Sequence, residues 1–93
     1  MQCNSLEEVR ENIDRIDDEI IKLIAERGNY VVQASAFKKD EDSVKAPKRV
    51  EAVIAKVREK AEKYGANPDM VEVLYRKMIQ SFVEMEMKEF HKN

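Results

Sequence analysis

Arg27 stands where an aliphatic side chain belongs. It shares a heptad register with Ile13, Ile20 and Ala34, and a guanidinium at such a position needs an anion beside it. Three readings are open: an internal ion pair with Asp17 or Glu86, a side chain that snorkels to solvent, or an anion site for a ligand. For the last, the planar fork of arginine matches a carboxylate. Lys38 lies roughly 20° away around a helix and ~16 Å further along it, so two long cationic side chains can lean toward one guest. Arg10 flanks the same face, in the register of Asp17, Ile24, Val31 and Lys38. It lies ~25 Å from Arg27 along the axis and cannot join that site within one chain; alone, it pairs with Asp14 or Glu7 on the surface. Arg49 either adds a cation beside the linker or is an ordinary solvated helix residue. Glu86 falls one turn after Phe82, at the edge of an apolar face. Burial there favours a protonated carboxyl that can donate a hydrogen bond, whereas the alternative is a solvated charge beside Glu84 and Lys88.

These residues need helices to hold them. From Leu6 onward Val9, Ile13, Ile16, Ile20, Leu23, Arg27, Tyr30, Ala34 and Phe37 alternate at three and four residues, a heptad seam. Ser5 with Glu7 and Glu8 supplies an N-cap and an acidic first turn, and only Gly28 interrupts. The spacing predicts a first helix from about Leu6 to Phe37. Lys39-Asp40-Glu41-Asp42-Ser43 reads as a charged break, after which Pro47 suits the first turn of a helix running to about Tyr64. Its stripe is Val50, Val53, Ile54, Val57, Ala61 and Tyr64, and Gly65 stands where a left-handed stop is expected. Asn67-Pro68-Asp69 gives N-cap, N1 and acidic first turn of a third helix to about Phe90, with Val71, Leu74, Met78, Phe82 and Met85 inward. The expected fold is all-α, three helices in the order long, short, long, forming one domain over residues 1–93.

With 39% charged residues and only two glycines and two prolines, the composition suits long amphipathic helices rather than a disordered chain. A net charge of −2 with interspersed signs lacks the sustained basic field of a nucleic-acid binder. No apolar run approaches the ~20 residues of a membrane span and no signal-peptide core follows the start, so a cytoplasmic location is expected. Cys3 has no intrachain partner and no neighbouring metal ligands, and His91 reads as a solvated tail residue. No cofactor or metal site is expected.

A first helix of this length reaches roughly 45–50 Å, more than a compact chain of 93 residues can cover along its whole seam. A second copy of the same helix covers it with one patch used twice. If two such helices pack antiparallel about a dyad near Ile20 or Ile21, Arg10 of one chain arrives alongside the Arg27-to-Lys38 stretch of the other. The expected assembly is an intertwined antiparallel homodimer with two equivalent sites, each walled by both chains.

The pattern Leu6-x-x-x-Arg10-x-x-Ile13-Asp14-x-Ile16-Asp17-x-x-Ile20, followed by Leu23, Arg27 and Lys38, resembles the first helix of the all-helical (type II) chorismate mutases. The likeness extends through Arg49, Pro68 and Glu86, nearly the whole chain. It implies a dimer with Arg10 from the partner and Arg27 on the two carboxylates of a small dicarboxylate substrate. It also implies Lys38 on a carboxylate and the ether oxygen, Arg49 at the entrance, and Glu86 where many members have a glutamine that hydrogen-bonds the ether oxygen. Two positions depart from the best-known bacterial mutases: Val50 replaces a glutamate that binds the ring hydroxyl, and Phe82 replaces a serine. The stretch Phe37-Lys38 to Ala46-Pro47-Lys48-Arg49-Val50 is closer to the related isochorismate-pyruvate lyases. The resemblance thus implies rearrangement of chorismate to prephenate, in the shikimate route to aromatic amino acids, with isochorismate cleavage to salicylate and pyruvate as the second reading. Both are pericyclic and need no nucleophile, metal or redox cofactor. A reading from another class remains, a non-catalytic helical dimerisation or regulatory module in which Arg27 and Lys38 only form ion pairs.

Overall fold

A computed structural model describes the backbone of residues 2–92 and the side chains of residues 2–89. His91 lies outside the described side chains. All regular structure among the described residues is helical: α1 (Leu6–Ser35), α2 (Glu41–Lys45), α3 (Pro47–Tyr64) and α4 (Pro68–Lys92). The long, short, long order of the three main helices is as the periodicity predicts. The chain divides into two compact units, residues 1–33 and 34–93.

The first unit is almost entirely α1. Its start is capped on both sides: Ser5 Oγ accepts from the Glu8 backbone N–H at 3.1 Å, and the Glu8 carboxylate accepts from the Asn4 N–H at 3.1 Å. The first contact satisfies a donor that the first helical turn leaves without an intrahelical partner, and the second ties the residue before the cap to the same turn. None of the α1 residues is buried, and Leu6, Val9, Ile13, Ile16, Ile20, Leu23 and Tyr30 of the seam are all exposed.

In the second unit, α3 and α4 pack on each other and α2 packs on α4. α3 buries Ile54, Val57 and Ala61, with Val50 and Val53 half-buried, as its stripe predicts. Tyr64 departs from that stripe: it is exposed at the last turn, with the Lys63 ammonium 5.3 Å from its ring centroid. Gly65 ends α3 at φ 77°, and the Ala66 N–H reaches back to the Ala61 carbonyl at 2.8 Å, a left-handed stop that glycine adopts without steric penalty. Asn67 Oδ1 then accepts from the N–H groups of Asp69 (2.9 Å) and Met70 (3.2 Å) to start α4.

Three expectations are corrected. α1 ends at Ser35 rather than Phe37, closing through tight turn bonds from Phe37 N–H to Ala34 O (3.0 Å) and Lys38 N–H to Ser35 O (3.2 Å), and Phe37 is exposed. The charged stretch after it is not a plain break, because Glu41–Lys45 forms a helical turn with acidic residues at its start and Lys45 at its end, the arrangement the helix dipole favours. On α4, Leu74 and Met85 are exposed, while Val71, Tyr75, Met78, Ile79, Phe82 and Val83 are half-buried. At ~100° per residue, Leu74 and Met85 lie on one side of Val71 around the helix, and Tyr75, Ile79 and Glu86 on the other. The packed arc is displaced to the second side, which brings Glu86 from its edge to its middle.

Candidate functional site

Lys38 follows the tight turn that ends α1, and Asp40, two residues on, caps α2. The Asp40 carboxylate accepts from the Ser43 N–H at 2.8 Å. Backbone and side-chain hydrogen bonds from Ser43 hold the Asp40 carboxyl below its ordinary value. α2 ends at Ala46, whose N–H donates to Asp42 O at 2.7 Å with φ 40° and ψ 59°. That conformation is left-handed and unusual for a residue with a Cβ, and it turns the chain directly into Pro47 and α3.

These local constraints set Lys38 against α4. Its Nζ donates to Glu86 Oε2 at 2.9 Å, joining positions 48 residues apart in sequence. The Lys38 side chain is 22% exposed and that of Glu86 only 6%, so Glu86 is not a solvated charge near a helix end. A carboxylate this deeply placed is stable only if paired, because its desolvation penalty is several kcal/mol or more. The three N–H donors of a lysine ammonium exceed what one carboxylate oxygen takes up. The pair therefore combines a cation able to hold an anionic guest with a neighbouring carboxyl group.

The other selected residues divide between the units. Phe82 sits one turn before Glu86 on α4 and is half-buried; Val50 is half-buried and Arg49 exposed in the first turn of α3. In the first unit, Arg27 is half-buried on α1, whereas Arg10 is exposed and has no ion pair among the described residues. Cys3 accepts a weak hydrogen bond from Asn12 Nδ2 at 3.7 Å. Among the described residues no group of His, Cys, Asp and Glu is arranged to hold a metal ion, and no helix is long and apolar enough to cross a membrane.

A set of ion pairs escaped the sequence reading. Arg76 of α4 makes a bidentate pair with Glu51 of α3 (2.8 and 2.9 Å) and also donates to Glu72 at 2.7 Å. Arg58 of α3 joins Glu72 (2.8 Å) and Asp69 (3.0 Å) of α4. The hydrogen bonds from Arg76 hold Glu51 and Glu72 below the ordinary glutamate range, with Arg58 adding to the effect on Glu72. The legible signal was spacing: Glu51 and Arg58 stand seven apart on α3, and Asp69, Glu72 and Arg76 three and four apart on α4. This network clamps α3, which carries Val50, to α4, which carries Phe82 and Glu86.

The family model described as chorismate mutase type II matches residues 9–87, from early α1 to the far end of α4. The chain belongs to the chorismate mutase type II family. A protein of Pseudomonas aeruginosa named isochorismate pyruvate lyase is 36% identical over 86 residues, covering 92% of this chain and 85% of that relative. The match of a family of enzymes includes Arg10, Arg27, Lys38, Arg49 and Glu86 within its span.

Proposed function

We propose that the chain is a homodimeric, cofactor-free enzyme that rearranges the enolpyruvyl ether of a chorismate-type dicarboxylate, converting chorismate to prephenate. The observation that carries this reading is the Lys38–Glu86 pair, in which two residues selected from sequence meet at 2.9 Å in a largely buried place. A long α1 without one buried residue supports the homodimer, since an apolar seam exposed along several turns favours association with a second copy.

In the proposed dimer, Arg27 and the partner subunit's Arg10 hold the two substrate carboxylates. Clamping the enolpyruvyl group over the ring removes orientational freedom before reaction. Lys38 meets the negative charge that grows on the ether oxygen as its C–O bond lengthens, and a fixed cation in a poorly hydrated site stabilises that charge strongly. Arg49 adds positive potential at the entrance, Val50 and Phe82 line the apolar wall, and Glu86 donates to the ether oxygen. That last role requires a proton on Glu86, so acid favours turnover. Glu86→Gln, which donates at every pH, removes the acid preference; a variant that keeps it would overturn the role.

A second substrate is favoured by two specific observations. The lyase relative spans nearly the whole chain, and Val50 stands where a glutamate would bind a ring hydroxyl in the mutases. Isochorismate cleavage to salicylate and pyruvate uses the same clamp and the same developing charge. Offering each substrate separately and following prephenate and fluorescent salicylate decides between them. Turnover of neither, together with no binding of a chorismate-like dicarboxylate, refutes the enzymatic reading and leaves a helical dimerisation module in which Lys38 only forms its ion pair.

A further inference from the structure

Charges that alternate in sign along the sequence separate once α3 is wound. This helix holds six basic residues against three acidic ones, in a chain whose net charge is −2. Arg58 is engaged by Glu72 and Asp69 of α4, and Glu51 by Arg76, so that flank of α3 is balanced. Arg49, Lys56, Lys60 and Lys63 follow one another at spacings of seven, four and three, which sets them within ~60° around the helix and along ~21 Å of it. All four are exposed, and none enters an ion pair among the described residues. Glu59 borders this line, and Glu62 lies roughly 130° from its middle. Like charges three and four residues apart repel, so Lys56, Lys60 and Lys63 weaken α3 by standing together. Packing does not account for their alignment.

We propose that this line is an electropositive approach to the site, which gathers a small dianion from solution and leads it toward Arg49. The role rests on the assignment of Arg49 to the entrance of a site for a dicarboxylate. Lys56, Lys60 and Lys63 lie ~10, ~16 and ~21 Å beyond Arg49 along α3, so they act through their field and touch no bound substrate. A guest with two negative charges feels each lysine through water, screened over ~30 Å at ~10 mM ionic strength but only ~8 Å at ~150 mM. Summed over the three distances, the attraction raises kcat/KM about sixfold at the lower ionic strength and less than about twofold at the higher. Attraction of free substrate enters kcat/KM and leaves kcat unchanged.

The full-length protein carrying Lys56→Gln, Lys60→Gln and Lys63→Gln together tests the approach. With the substrate that the wild type turns over, kcat/KM should fall about sixfold at ~10 mM ionic strength, and the loss should shrink below about twofold at ~150 mM, with kcat held. Single variants separate a directed field from net charge. At ~10 mM, Lys56→Gln should cost about two- to threefold and Lys63→Gln less than about 1.5-fold, in the order of their distances from Arg49. Replacing all three lysines by arginine should keep wild-type values. The triple glutamine variant should melt at or above the wild-type temperature, which a structural role would not allow. Equal losses from Lys56→Gln and Lys63→Gln, a loss that salt does not diminish, or a fall in kcat overturns the approach. Amide relaxation by an anionic nitroxide relative to a cationic one reads the field without turnover: the ratio over residues 56–63 should be raised at least about threefold and should collapse in the triple glutamine variant. Failure of the wild type to turn over either substrate refutes the enzymatic reading instead, and the nitroxide ratio still decides whether the line gathers anions.

Discussion

Ile20→Glu tests the pairing of α1 most directly. Ile13, Ile16, Ile20 and Leu23 keep 51%, 47%, 47% and 60% of their surface exposed in the single chain. Since full burial of an aliphatic side chain stabilises by roughly 1.5–3 kcal/mol, covering the remaining half of each is worth about 1 kcal/mol. Two copies bring together eight such side chains, on the order of 8 kcal/mol before the loss of rotational and translational freedom. Ile20→Glu forfeits about 1 kcal/mol on each chain and, with the dyad near this position, places two carboxylates in a closing apolar seam. Adding their desolvation and repulsion gives about 4 kcal/mol, a weakening of association on the order of a thousandfold. Sedimentation equilibrium across the micromolar range should show the wild type at twice the 10.9 kDa chain mass and the variant at the single-chain mass. The helical signal should fall too, because an amphipathic helix takes most of its stability from packing of its apolar face. A wild-type chain that sediments as one stably folded copy, or an Ile20→Glu protein that keeps the wild-type mass, refutes the reasoning.

Lys38→Ala should lower turnover by at least about a hundredfold, the usual scale for removing a charge aimed at a developing anion, with the circular dichroism spectrum retained; near-normal turnover refutes its role. Ala46→Gly should stabilise the chain by about 1 kcal/mol in chemical unfolding, since a Cβ at φ 40° is strained. Gly65→Ala should destabilise by a similar ~1 kcal/mol purely through its φ of 77°, because an added Cβ there meets open space. Acid should loosen α3 from α4: Glu51 and Glu72 titrate below the ordinary value of 4.5, so their stabilisation is full above that value and is lost as pH falls through the lowered values. Arg76→Gln should flatten that acid limb of the melting temperature, and an unchanged limb means the network contributes nothing measurable.

The sequence by itself determined the three main helices, their starts and the stop of α3, because those depend on neighbours in the chain. Ser5, Gly65 and Asn67 act within a few residues of themselves, and the heptad run from Leu6 to Ala34 declares a one-sided helix whatever covers it. It also singled out Lys38 and Glu86, since polar groups at or beside apolar positions stand out against a periodic background. Only the tertiary structure decided which face of α4 is packed. Leu74 and Tyr75 are neighbours in sequence but ~100° apart around the helix, and only the seating of α3 and α2 selects between them. That rotation is what buries Glu86 and lets Lys38 meet it. Tertiary packing likewise turned a charged stretch into α2, because its single apolar residue, Val44, weighs little in a hydrophobic pattern and much once α4 supplies a surface to bury it against.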